Sequence, residues 1–137
     1  MAAVGHKHID HTADLAFEVW APTEEALLLE AAQALIGVMT DHSTISHRAE
    51  HHVQLDGLDA PDRLVRWLNE VLVLGVTRGF LLCNADITLK GNAIEATMMG
   101  ETGATRKIVS ELKSVTYHDL ALGQTDAGWR CQFVVDV

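Results

Sequence analysis

Apolar residues at strand spacing run into the last positions of the chain, through Trp129, Cys131, Phe133, Val134, Val135 and Val137. Terminal segments ordinarily fray, so a stretch this apolar is predicted to dock as a strand. A similar segment lies near the other end. Leu15-Ala16-Phe17-Glu18-Val19-Trp20-Ala21 partly alternates, is rich in strand formers and stops before Pro22. A polar step, His11-Thr12-Ala13-Asp14, opens it. If the opening and closing strands lie together, Asp14 and Asp136 share one acidic site.

Two segments between these strands have helical periodicity. Thr23 is a suitable N-cap, Glu24 and Glu25 put negative charge at the positive end of a helix, and Leu28, Ala31, Ala32, Leu35, Val38 and Met39 recur at helical spacing up to about Thr40. A polar connection over residues 42–49 leads to a strand around His52-Val53-Gln54-Leu55. Asp59 precedes Pro61 and a second helix, with Leu64, Trp67, Leu68, Val71 and Leu72 inward, extending to about Val76 before Gly79. Short strands are expected at residues 80–84, 86–90 and 93–99, the last two joined as a hairpin by Lys90-Gly91-Asn92. After a polar stretch at 100–110, strand patterns resume at 112–118, 120–123 and 129–135. Two helices and a run of strands specify an α+β fold, the helices packed on one or two mixed or antiparallel sheets. A chain of 137 residues with 48% hydrophobic content makes one compact domain over residues 1–137.

Ten basic against nineteen acidic side chains give a net charge of −9. Such a chain repels phosphate backbones, which argues against autonomous RNA or DNA binding and for contact with nucleic acid only through a partner. It suits a hard cation or a basic protein surface. No apolar run approaches the roughly 20 residues that cross a bilayer, and His6, Lys7, His8 and Asp10 give no signal-peptide core, so the expected location is the cytoplasm, with no membrane partner. Cys83 and Cys131, far apart among apolar neighbours, read as buried reduced thiols.

Asp14 and Asp136 are the leading metal candidates, because calcium accepts carboxylates, carbonyls and water in flexible geometry. The main-chain oxygens of Val137 sit beside Asp136 and add ligands. His6, His8 and His11 offer imidazoles for zinc but no obvious fourth ligand. His11 has the alternative of hydrogen-bonding locally beside Asp14. Lys113 precedes Ser114-Val115-Thr116-Tyr117-His118 and points to a phosphate, a carboxylate or water. Glu101, Tyr117 and His118 suggest a hydrolase only weakly, since Ser110 and Ser114 lie in no nucleophile-elbow context and no phosphate-binding loop is present.

Asp10-His11-Thr12-Ala13-Asp14-Leu15-Ala16, Val38-Met39-Thr40-Asp41, Trp67-Leu68-Asn69-Glu70, Gly100-Glu101, Lys113-Ser114-Val115-Thr116-Tyr117-His118 and Asp136-Val137, in this order, resemble the archease family over nearly the whole chain. The resemblance implies a non-catalytic accessory protein that promotes guanylylation and repeated turnover of an RtcB-type RNA ligase, in transfer RNA splicing or RNA repair. It also implies a divalent cation, commonly calcium, held by Asp14, Asp136 and Val137, and a functional role for Lys113. The competing expectation is a chaperone-like protein-binding module that uses the carboxylates only structurally.

Overall fold

The computed structural model describes residues 3–10, with Asp10 by its backbone alone, and 14–137. Among these residues, seven strands and two long helices follow the order β1 (Gly5–Asp10), β2 (Leu15–Ala21), α1 (Glu24–Met39), β3 (Ala49–Asp56), α2 (Ala60–Arg78), β4 (Leu81–Lys90), β5 (Ala93–Glu101), β6 (Ser114–Thr125) and β7 (Gly128–Asp136). They form two sheets, ordered β1-β2-β7-β6 and β3-β5-β4, and every pairing in them is antiparallel. This is the expected α+β arrangement. No helix among the described residues is long and apolar enough to cross a membrane.

Helix ends follow local chemistry. Thr23 caps α1 by accepting from the Ala26 N–H at 3.1 Å. Asp59 caps α2 by accepting from the Asp62 N–H at 2.9 Å, and Asp62 reaches back to the Leu58 N–H at 2.9 Å, a variant of the capping box. Gly79 closes α2 in the left-handed region at φ 60°, where a side chain is disfavoured. Both helices pack against both sheets, and one core forms around Trp67, Phe17, Phe133, Leu28, Leu35 and Leu68. The Trp67 indole N–H donates to the Leu28 carbonyl at 2.8 Å, fixing α2 against α1 inside that core.

Three elements differ from the sequence expectation. The strands expected at 80–84 and 86–90 are one strand, β4, whose register slips between Leu82 and Asn84. The expected pieces at 112–118 and 120–123 are likewise one strand, β6, beginning at Ser114. Its ladder is interrupted between Thr116 and Ala121, where Asp119 has φ 52°. β1 is an addition: His6 donates through Nδ1 to the Glu30 carboxylate at 2.6 Å and the His8 ring stacks on Phe17 at 5.7 Å, so partners on β2 and α1 order a polar segment. Both cysteines are free. Burial pushes the Cys131 thiol up to about 12, whereas Cys83 is only half-buried.

Candidate functional site at the end of the four-stranded sheet

β2 and β7 are neighbours in a register that joins Leu15 to Val135. Asp14 and Asp136 each lie one residue beyond that pair, at the same end of the sheet. β6 extends the row, with Ser114 paired to Asp136. The Lys113 N–H donates to the Asp136 carbonyl at 2.9 Å, bringing the lysine to the same end of the sheet. Asp136, Val137 and Lys113 are exposed and Asp14 is half-buried. The Lys113 ammonium makes no ion pair or side-chain hydrogen bond among the described residues.

The donors gathered here are oxygens: the two carboxylates and the main-chain oxygens of Val137. That set fits a hard divalent cation such as calcium, which completes its shell with water. No group of three His, Cys, Asp or Glu side chains placed to hold a metal exists among the described residues. Of the histidines weighed for zinc, His6 is engaged by Glu30 and His8 by Phe17, while His11 lies outside the described residues, as do Thr12 and Ala13.

The segment carrying Lys113 is held along its length. The Gly103 and Ala104 N–H groups donate to the Arg78 and Gly79 carbonyls at 3.3 and 2.9 Å, tying it to the end of α2. Thr40 donates through Oγ1 to the Lys107 carbonyl at 2.6 Å, and the Val109 N–H donates to the Met39 carbonyl at 2.7 Å. Glu101 is the hub of the preceding turn, accepting from the Ser46 N–H at 2.7 Å and from Lys107 Nζ at 3.0 Å. These two donors hold its carboxyl below the usual range. Buried Leu112 then anchors the chain immediately before Lys113.

Two polar residues on α2 position β6. Asn69 makes two hydrogen bonds of the backbone type with Val115, its Nδ2 donating to the carbonyl at 3.0 Å and its Oδ1 accepting from the N–H at 2.7 Å. Asn69 thereby acts as a short strand partner on the open edge of β6. Asp62 accepts from the Tyr117 hydroxyl at 2.6 Å. That hydrogen bond, followed by the one from the Leu58 N–H, holds the Asp62 carboxyl at about 2 and pushes the Tyr117 phenol up. Glu101, Tyr117 and His118 therefore serve separate contacts: Glu101 holds Ser46 and Lys107, Tyr117 holds Asp62, and His118 pairs with Asp119 at 3.3 Å. The sequence marks Asn69 only as part of Trp67-Leu68-Asn69-Glu70; its partner, 46 positions away, carries no local signal.

The sequence profile of the Archease protein family (MTH1598/TM1083) matches residues 6–137. The chain belongs to the archease family. It is 34% identical to protein archease of Methanopyrus kandleri, over 96% of this chain and 98% of that one. Identity to protein archease of Archaeoglobus fulgidus is 33%, over the same shares of the two chains. The fold matches the solution structure of Methanobacterium thermoautotrophicum protein 1598 with a TM-score of 0.77 at 26% identity, covering 97% of this chain and 99% of the other. A crystal structure from Thermotoga maritima, described as an archease and possible chaperone, matches with a TM-score of 0.66 at 25% identity, covering 96% of each chain. Within this archease fold, Met39 and Thr40, Asn69 and Glu101 have a common role, which is to brace the segments on either side of Lys113.

Proposed function

We propose that this archease activates an RtcB-type RNA ligase in the cytoplasm, raising its guanylylation and turnover without catalysing RNA joining itself. One observation carries the reading: Asp14, Asp136 and Lys113, remote in sequence, converge at one solvent-facing end of the sheet. Asp14, Asp136 and Val137 hold a divalent cation there, with calcium favoured by the oxygen donors. When bound, the cation supplies concentrated positive charge. Lys113 is fixed by its backbone bond to Asp136 and by Leu112 beneath it, so it presents its ammonium on a backbone that is already ordered. Groups braced in this way suit positioning and charge placement at a partner's reaction centre. The net charge of −9 favours contact with RNA through the ligase over direct binding.

The test follows guanylylation and multiple-turnover joining of RNA at limiting ligase, with and without this protein. Sub-stoichiometric protein accelerates both steps, and Asp14→Ala, Lys113→Ala and Asp136→Ala each remove the effect while keeping the wild-type circular dichroism spectrum. Full activation by all three variants would refute the site. Exposed Val73 and Val76 on α2 favour a second reading, a chaperone-like module; protection of unrelated clients from aggregation in EDTA, with no effect on an active cognate ligase, would establish it.

A further inference from the structure

Two strand edges that flank a helix are covered by a carboxamide from that helix. On β6, Asn69 of α2 takes both backbone groups of Val115; on β4, Gln33 of α1 donates through Nε2 to the Cys83 carbonyl at 3.2 Å. β3 is the other edge of the three-stranded sheet and also packs on α2. The Gly57 N–H donates to the Asn92 carbonyl at 3.1 Å, one step beyond the Asp56–Ala93 pair. Antiparallel ladders alternate, so Val53 and Leu55 turn their N–H and C=O groups to β5, while His52, Gln54 and Asp56 turn theirs outward. No group among the described residues bonds to these outward backbone groups.

A groove of about 440 Å³ runs beside this edge, between the end of β3, the outer side of α2 and Tyr117 on β6. Leu55 and Val73 give it apolar walls, and Val73 is 52% exposed. Three charged residues line it. Arg66 is neutralised by Asp62 at 2.9 Å, whereas Asp56 and Glu70 form no ion pair among the described residues. One groove thus combines unused backbone donors and acceptors, aliphatic surface and two carboxylates without a counter-charge.

We propose that β3 accepts an extended, basic segment of another protein as a fourth strand of the smaller sheet. The segment's backbone pairs with His52, Gln54 and Asp56, its aliphatic side chains cover Val73, and its lysine or arginine side chains meet Asp56 and Glu70. This contact does not depend on the ligase reading. In strand addition the main-chain bonds supply affinity and the side chains supply selectivity. Carboxylates along an open edge repel acidic strands and admit basic ones. The same charges disfavour a second copy of this chain: antiparallel pairing of two β3 edges centred on Val53 sets Glu50 opposite Asp56 twice, like charge on like.

The experiment offers the full-length protein a fluorescein-labelled peptide that alternates lysine and valine over the length of β3, its glutamate–valine counterpart, and a lysine–valine form N-methylated on alternate residues. Fluorescence anisotropy reads binding and amide hydrogen exchange reads its place. The lysine peptide binds and slows exchange of the His52, Gln54 and Asp56 amides about tenfold, and the other two peptides do neither. Gln54→Pro removes one outward N–H at a position an edge strand tolerates, and weakens binding about tenfold. Asp56→Lys/Glu70→Lys weakens it by a similar factor and gains the glutamate peptide. Both variants keep the wild-type circular dichroism spectrum; should the proline variant unfold, the N-methylated peptide makes the same test on the wild type. Equal binding of the N-methylated peptide would overturn strand addition and leave only surface charge. Absence of binding, or binding that leaves the three amides unprotected, would overturn it as well. Protection of those amides that rises with protein concentration alone would assign the edge to a second copy and refute the basic partner.

Discussion

Asn69 gives the clearest quantitative test of how α2 holds the site. Its carboxamide satisfies both backbone groups of Val115, a residue only 3% exposed on the open edge of β6. Asn69→Ala leaves an N–H and a carbonyl without partners, at about 1–2 kcal/mol each, so the variant loses about 2–4 kcal/mol. Unfolding entropy of about 2.1 cal/mol/K per residue over 137 residues is about 0.29 kcal/mol/K, which converts that loss to a fall in Tm of about 7–14 °C. Asn69→Asp keeps the acceptor for the Val115 N–H but sets a carboxylate oxygen against the Val115 carbonyl, so it is no milder than the alanine variant. Thermal unfolding followed by circular dichroism at constant pH and salt reads both. A drop below about 2 °C in the alanine variant would mean that water serves Val115 as well as Asn69 does, and the bracing of β6 by α2 would have to be abandoned.

Three further outcomes are expected. An ideal Cβ at Gly100 would stand 2.0 Å from the Leu81 carbonyl oxygen, so Gly100→Ala forces β4 and β5 apart and costs about 3 kcal/mol, read as a lower urea midpoint; an unchanged midpoint would contradict it. Asp62 titrates at about 2 when folded against 3.8 ordinarily, so the unfolded chain binds its proton first; the stabilisation is complete above pH 3.8 and is lost as pH falls toward 2. Acid unfolding of Asp62→Asn is correspondingly less steep in that window, and a superimposable curve would show that the Tyr117 and Leu58 contacts carry no weight. Calcium at a hundredfold excess over its Kd stabilises the wild type by about 2.7 kcal/mol relative to EDTA. Asp14→Asn and Asp136→Asn abolish that shift, whereas an equal shift in the variants would place the ion elsewhere.

Much of the architecture is legible because its causes are local. Thr23, Asp59 and Gly79 mark helix ends by groups that bond within a few residues, and the alternation in β3 and β5 follows directly from which face is buried. β4 and β6 each read as two strands because the register slip near Cys83 and the left-handed Asp119 break the alternation without ending the strand. β1 has no comparable signal because His6 and His8 gain their partners, Glu30 and Phe17, only on folding. The end-to-end pairing behind the candidate site is foreshadowed by two carboxylates flanking apolar strands, and the β2–β7 register supplies it. The bracing is not legible: Asn69 and Glu101 bond to Val115 and Ser46, 46 and 55 positions away, and periodicity carries no trace of such pairs.

The β2–β7 pairing also governs the order in which the molecule can assemble. α1, α2 and the three-stranded sheet are drawn from residues 24–101, so their contacts form within one continuous stretch. Joining Leu15 to Val135 instead closes nearly the whole chain into a loop, an entropic cost that native contacts offset only once the loop is shut. Within the four-stranded sheet, β1–β2 and β6–β7 are local hairpins, so the β2–β7 pairing is the step expected late in folding. Asp14 and Asp136 come to the same end of the sheet only when that pairing is made. A misfolded or half-made chain has no acidic tip to offer, and a cation bridging the two carboxylates would act as a latch on the longest closure in the protein.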